Sequence, residues 1–291
     1  MKQKVALVLS SGGARGMAHI GVIEELEKRG FEISSVAGSS IGAVVGGIYA
    51  AGYLDAYTKW MKGLQKLDVY KLMDFSISTQ GFIKGEKVFE ELKKIIPDIN
   101  IEDMDIPYAA LAADPRNRKE KVFKKGSLYK AMRASVAIPG VVLPGRINDL
   151  DLVDGGIVNP IPIDHVHREK DDILVVVDLN SSFSESQAKL PVIKNEPAQY
   201  QQILNKIKTR LGVSQKEFRV KQNKLSYYDI LNNSINLMQE KLTELTIRIH
   251  NPEILVSIPR SSCRTFEFHK SDKMIEMGRK AFLKSCQKHS R

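Results

Sequence analysis

Two cysteines in 291 residues are too few for a disulfide framework, and neither Cys263 nor Cys286 has a partner at metal-ligand spacing. A cross-linked secreted scaffold and a zinc site are both excluded, and a reducing cytoplasm is the expected setting. Long apolar runs are missing as well: no stretch approaches the ~18 uncharged residues of a membrane-spanning helix. The apolar opening VALVLS is short and runs at once into SGGARG, so it does not read as a secretory core, and synthesis without export is expected. No internal repeat or low-complexity tract interrupts the chain.

What the chain does have is 43% hydrophobic residues, enough for a full core in one large domain or two small ones. Its net charge of +10 is unevenly placed. Residues 1 to 196 carry 26 Lys+Arg against 26 Asp+Glu, whereas residues 197 to 291 carry 18 against 8. By its charge alone a basic face of this kind can hold nucleic acid or anionic headgroups such as those at the inner face of a membrane, or is simply a solvated surface. Nucleic acid is not expected as a partner.

Residues 4 to 9 read as a buried strand, and Ile20, Val22, Ile23 and Leu26 among charges read as a helix over 18 to 29. A second strand at 33 to 37 runs into Gly38 and a small-residue helix at 41 to 51, which Gly52 ends. Further strands are expected at 108 to 113, 121 to 123 and 173 to 179, with helices at 85 to 95 and 127 to 134. This alternation predicts an α/β layered fold. Residues 180 to 197 are polar and proline-bearing and read as an exposed connection. Beyond it Tyr228, Leu231, Ile235, Met238, Leu242, Leu245 and Ile249 step by threes and fours, a helical stripe expected to dock on the body of the chain, with a dimer seam or a membrane-facing surface as the alternatives. A strand at 253 to 258 and a helix at 272 to 286 close the reading. The expected organisation is a single domain over 1–291, with a core at about 4–180 and a basic, helical portion at 198–291 that returns to it.

Gly38-Ser39-Ser40-Ile41-Gly42 has the G-x-S-x-G form where a strand gives way to a helix, the context of a nucleophile elbow. A sharp turn there lifts the Ser40 hydroxyl clear of the chain, with Gly38 and Gly42 removing side chains that would collide. The plainer reading is a Gly/Ser loop before a helix cap. Ser11-Gly12-Gly13-Ala14-Arg15-Gly16 forms the other strand-to-helix junction and frees backbone amides to meet a phosphate or an oxyanion. A dinucleotide loop competes, although Ser11 holds its first glycine position. Asp154-Gly155-Gly156 places a carboxylate at the edge of a strand or turn, and Asp114, followed by Pro115, is the rival. An ordinary α/β-hydrolase needs a late histidine, for which His250 or His269 is available, but more strands precede the elbow in that fold than here. His19 reads as a packing residue, while His165 and His167 read as surface. Trp60, Met61, Leu64, Leu67, Leu72 and Phe75 either wall an acyl channel or pack.

Taken together, the loop at 11 to 16, the elbow at 38 to 42, Arg133-Ala134-Ser135 through Pro139-Gly140, and Asp154-Gly155-Gly156 resemble the patatin-like phospholipases over residues 4 to 180. The resemblance implies a three-layer α/β/α fold with a mostly parallel central sheet. It further implies a Ser-Asp dyad without a catalytic histidine, with Ser40 as nucleophile and Asp154 as base. Gly12, Gly13 and Ala14 would supply oxyanion amides with Arg15 alongside, and Gly16, Gly155 and Gly156 would support the motifs. Neither metal nor cofactor is implied. The substrates implied are phospholipids, lysophospholipids or other acyl esters; peripheral contact of a cytoplasmic protein with an anionic membrane is expected from charge position alone. A transacylase using the same dyad and a non-catalytic lipid-binding protein are the alternatives.

Overall fold

The computed structural model describes residues 2–76, 81–181 and 227–289. Strand β1 (Lys4–Leu9) passes through a 3-10 turn at Gly13–Gly16 into helix α1 (Met17–Lys28), and β2 (Glu32–Ser39) passes directly into α2 (Ile41–Ala50). Three short helices follow: α3 (Leu54–Gly63), α4 (Lys66–Leu72) and α5 (Glu86–Lys93). Then come β3 (Tyr108–Asp114), β4 (Lys119–Phe123), α6 (Leu128–Ser135), β5 (Gly145–Ile147), β6 (Leu150–Asp154) and β7 (Ile173–Ser181). Helix α7 (Tyr227–His250), strand β8 (Ile254–Pro259) and helix α8 (Ser271–His289) complete the described chain.

The strands form one mixed sheet in the order β5-β6-β3-β2-β1-β7-β8, with β4 also paired to β3. The run β3-β2-β1-β7-β8 is parallel, whereas β4 and β6 lie antiparallel to β3 and β5 lies antiparallel to β6. Side chains alternate across this sheet. Leu7, Leu9, Val175 and Val177 enter the main core with Ile20 and Ile23 of α1, while Val8, Leu174 and Val176 meet Ile161, Ile163 and Ile247 of α7. Covered faces on both sides explain why the central strands read as unbroken apolar runs and not as alternating ones. The fold is thus α/β, a mostly parallel sheet flanked by helices.

By contacts the chain sorts into two units: residues 1–183 with 237–291, and residues 184–236, of which 227–236 are described. Strand β8 and helix α8 therefore belong to the body that β1 begins. The expected connection at 180 to 197 starts late, because Asn180 and Ser181 are still part of β7; its remainder lies outside the described residues.

The apolar stripe is a clear departure. Met238, Leu245 and Ile249 stand exposed, the last at 75%, while Thr243 and Ile247 face inward instead. Periodicity shows which residues share a helical face but not which face is covered, and the second core has room for only a few side chains. Among the described residues no helix is long and apolar enough to cross a membrane, and no group of three metal-ligating side chains is found.

Candidate active site

Ser40 sits between the last residue of β2 and the first of α2, with φ 55° and ψ −125°. That backbone region is unfavourable for a side chain and costs on the order of 1–3 kcal/mol, so the surroundings must hold it. They do so at close quarters. A Cβ on Gly38 would lie 2.3 Å from the Gly42 carbonyl oxygen, and one on Gly42 would lie 2.1 Å from that of Leu9, so only glycine fits either place. The Ser40 amide donates to Ser135 Oγ at 2.8 Å, and the Ser135 hydroxyl donates in turn to the Leu111 carbonyl. The Ser40 carbonyl accepts from the amides of Ala43 and Val44 at 3.0 and 3.3 Å, opening α2.

Sheet register brings the carboxylate alongside. Ser39 pairs with Leu111 across β2 and β3, and the next residue of β3, Ala112, pairs with Asp154 on β6. The two chains thus flank the alanine-rich β3 at one level. Ser40 Oγ donates to Asp154 Oδ2 at 2.5 Å, and the Gly156 amide donates to Oδ1 at 2.7 Å. Both Ser40 and Asp154 are buried. Burial pushes the Asp154 carboxyl up to about 6, against the opposing pull of its hydrogen bonds from Ser40 and Gly156. The turn behind it is anchored from α7, where Gln239 Nε2 donates to the Gly156 carbonyl at 2.9 Å.

The first glycine turn approaches the same place from β1. Gly13 has φ +57°, and a Cβ there would lie 2.7 Å from the Thr265 carbonyl oxygen. The amide of Ala14 is already engaged, donating to that same oxygen at 2.8 Å. Among the described residues the amides of Gly12 and Gly13 have no partner, unlike that of Ala14. Arg15 also turns away from Ser40. Its Nε donates to the Leu179 carbonyl at 2.9 Å, Nη1 to the Cys263 carbonyl at 2.9 Å and Nη2 to Asn180 Oδ1 at 3.0 Å. Burial, with Arg260 nearby, draws its pKa down to about 10, which leaves it charged. Arg15 ties the glycine turn to β7 and the C-terminal segment.

Ser40 and Gly13 open onto an apolar cavity walled by α3, α4 and α5, including Trp60, Met61, Leu72 and Phe89. Leu64 lines it as well. Leu67 and Phe75 do not; they are exposed.

The rival groups are occupied elsewhere. Asp114 accepts from the amides of Arg116 and Asn117 and from Asn117 Nδ2, which holds its carboxyl low and caps the β3–β4 turn. His19 is fully buried with Nε2 3.0 Å from the Ser10 carbonyl oxygen, and burial depresses its pKa to about 4. His250 pairs with Asp164, His165 with Glu120 and His167 with Glu169. Among the described residues no histidine bonds to Ser40 or Asp154. Ser135 and Gln239 are contributors that sequence reasoning did not assign a role; Ser135 at least lies within a motif.

The Patatin-like phospholipase family model matches residues 7–167. An uncharacterized NTE family protein of Mycobacterium tuberculosis is 33% identical over 330 residues, covering 95% of this chain and 89% of its own. Lysophospholipase NTE1 of Candida albicans is 30% identical over 183 residues, which is 62% of this chain but 13% of the fungal protein. Patatin-like phospholipase domain-containing protein 6 of Homo sapiens is 31% identical over 185 residues, 61% of this chain and 13% of the human one. Among solved structures, VipD from Legionella pneumophila superposes with a TM-score of 0.48 at 14% identity, covering 99% of this chain and 67% of its own.

Proposed function

The chain belongs to the patatin-like phospholipase family, and from that membership we propose that it is a serine acyl hydrolase of lipids working through a Ser40–Asp154 dyad. One observation carries the reading: the Ser40 hydroxyl, at the wall of an apolar cavity, lies 2.5 Å from the buried Asp154 carboxylate. Asp154 accepts the Ser40 proton as Oγ attacks the ester carbonyl carbon, and the Gly12 and Gly13 amides stabilise the oxyanion. The proton then passes from Asp154 to the departing alcohol, leaving an acyl-serine. Water, deprotonated by the same carboxylate, attacks that ester, and the proton returns to Ser40 as the fatty acid departs.

A carboxylate of ordinary pKa is a weak base toward a serine hydroxyl. A value near 6 moves Asp154 closer to neutrality, so burial favours the proton transfer while leaving the group ionised in a neutral solution. The cavity's apolar lining suits a single acyl chain, which, with the lysophospholipase relatives, favours lysophospholipids and phospholipids as substrates. Peripheral contact with anionic membranes is part of the same proposal and rests on the basic balance of residues 197 to 291. The test is a lipid-panel hydrolysis assay by mass spectrometry on the wild type, Ser40→Ala and Asp154→Asn. Fatty acid release by the wild type alone is expected; equal release by all three would refute the dyad.

A further inference from the structure

The stretch that walls one side of the cavity has two faces of opposite character. Inward, Met61 of α3, Val69 and Leu72 of α4, and Ile83 line the space in front of Ser40. Outward, the same stretch leaves Leu67 72%, Phe75 44% and Phe82 45% exposed, with Tyr70 similarly uncovered. Leu67 precedes Tyr70 by one helical turn on α4, and the Tyr70 and Phe75 rings lie 5.0 Å apart. Phe75 bridges Ile83 in antiparallel fashion, and the Ser76 amide donates to the Phe82 carbonyl at 2.7 Å. These apolar side chains therefore belong to one short helix and the antiparallel bridge beside it.

This rim is braced. The Leu143 amide donates to the Ile83 carbonyl at 2.9 Å, and Arg133 Nη2 donates to the carbonyls of Lys84 and Leu143 at 2.7 and 3.0 Å. Arg133 Nε also donates to Glu86 Oε1 at 3.0 Å. The exposed groups are thus held in place rather than left on a loose end. Lys66, Lys71 and Lys84 stand exposed among them.

We propose that this rim is the surface by which the chain seats on a lipid bilayer. The proposal rests on the reading of the Ser40 cavity as an acyl site. Tyrosine and phenylalanine interleaved with lysine is the composition that settles at the boundary between headgroups and acyl chains. Position matters more than composition. A bilayer meeting the outer face of α4 lies directly behind the residues that line the cavity, which shortens the distance over which an acyl chain's methylenes meet water. The other exposed apolar row, Met238, Leu245 and Ile249 on α7, lines no part of that cavity, and a bilayer seated there would gain nothing for transfer.

The test is flotation of the full chain carrying Ser40→Ala with phosphatidylcholine vesicles, so that no lipid is consumed. Binding to these uncharged vesicles is expected to persist at about 0.5 M salt, because apolar contact is not screened, whereas any extra binding to anionic vesicles through the basic residues 197 to 291 is the part that salt removes. The combined Leu67→Ser, Phe75→Ser and Phe82→Ser variant is expected to bind at least about tenfold more weakly. Met238→Ser with Ile249→Ser should leave binding unchanged, and the variant Leu67→Met, Phe75→Leu and Phe82→Leu should retain it, which separates loss of contact from loss of fold. A parent that does not float, a serine variant that floats like its parent, or loss confined to the α7 variant overturns the proposal. Hydrolysis of a water-soluble short-chain ester, measured with Ser40 intact, reads the dyad independently. No hydrolysis together with rim-dependent flotation ends the catalytic reading and leaves the surface standing.

Discussion

The Ser135 hydroxyl holds the backbone of Ser40, accepting from the Ser40 amide at 2.8 Å while donating to the Leu111 carbonyl. The proposed nucleophile thus depends on a side chain 95 positions later for its own strained conformation. Ser135→Ala leaves a buried amide without an acceptor, at a cost of about 1–3 kcal/mol. The expected result is a kcat about 10–100-fold lower with KM nearly unchanged, and partial recovery with Ser135→Thr. A change confined to melting temperature would make Ser135 merely structural.

Acid should switch the enzyme off through Asp154. With its carboxyl near 6, protonation removes the base, so kcat/KM should fall tenfold per pH unit below about that value and level off above it. A profile flat down to the ordinary aspartate range, measured on a soluble ester, would show that Asp154 is not the group being titrated.

The same burial has a stability consequence of definite sign. Folding lifts the Asp154 carboxyl from 3.8 to about 6, so between those values the folded chain holds more protons than the unfolded one. Its contribution to stability is therefore present below the lower value and lost as pH rises through the upper one. Asp154→Asn should consequently be more stable than the wild type at about pH 8, by on the order of 2 kcal/mol, and lose that advantage near pH 4. Chemical denaturation at the two pH values checks this. A variant less stable than wild type at the higher pH would contradict it.

Trp60 is the only tryptophan of the chain and lines the cavity beside Met61 and Leu64. Filling the cavity with a fatty acid should change its emission saturably, and the change should persist in Ser40→Ala, since binding precedes chemistry. Ligand titration followed by fluorescence is the measurement; no response to a long-chain acid that inhibits hydrolysis would place the acyl chain elsewhere.

The parts legible in the sequence are those written locally. A run such as VALVLS followed by glycines marks β1 and its turn, and Gly38 to Gly42 marks a strand ending in a tight bend, because backbone crowding at 2.1 to 2.3 Å admits no other residue. What pairs distant residues is not written that way. Nothing near Ala14 signals that its amide is taken by Thr265, nor near Arg15 that its guanidinium will brace Leu179 and Cys263. Helices α3 and α4 escaped assignment because each is short, and α4 divides its apolar residues between a cavity and the surface. The α7 stripe shows the same limit from the other side: its spacing marks the helix, yet Leu231, Met238, Leu245 and Ile249 stand exposed while Ile235 and Leu242 are half-buried.

The most direct measurement is the rate of covalent labelling by a fluorophosphonate, with the modified peptide identified by mass spectrometry. Modification of Ser40, none in Ser40→Ala, and labelling at least about a hundredfold slower in Asp154→Asn are the expected results. Labelling at another residue, or an Asp154→Asn rate equal to that of the wild type, would contradict a serine activated by that carboxylate.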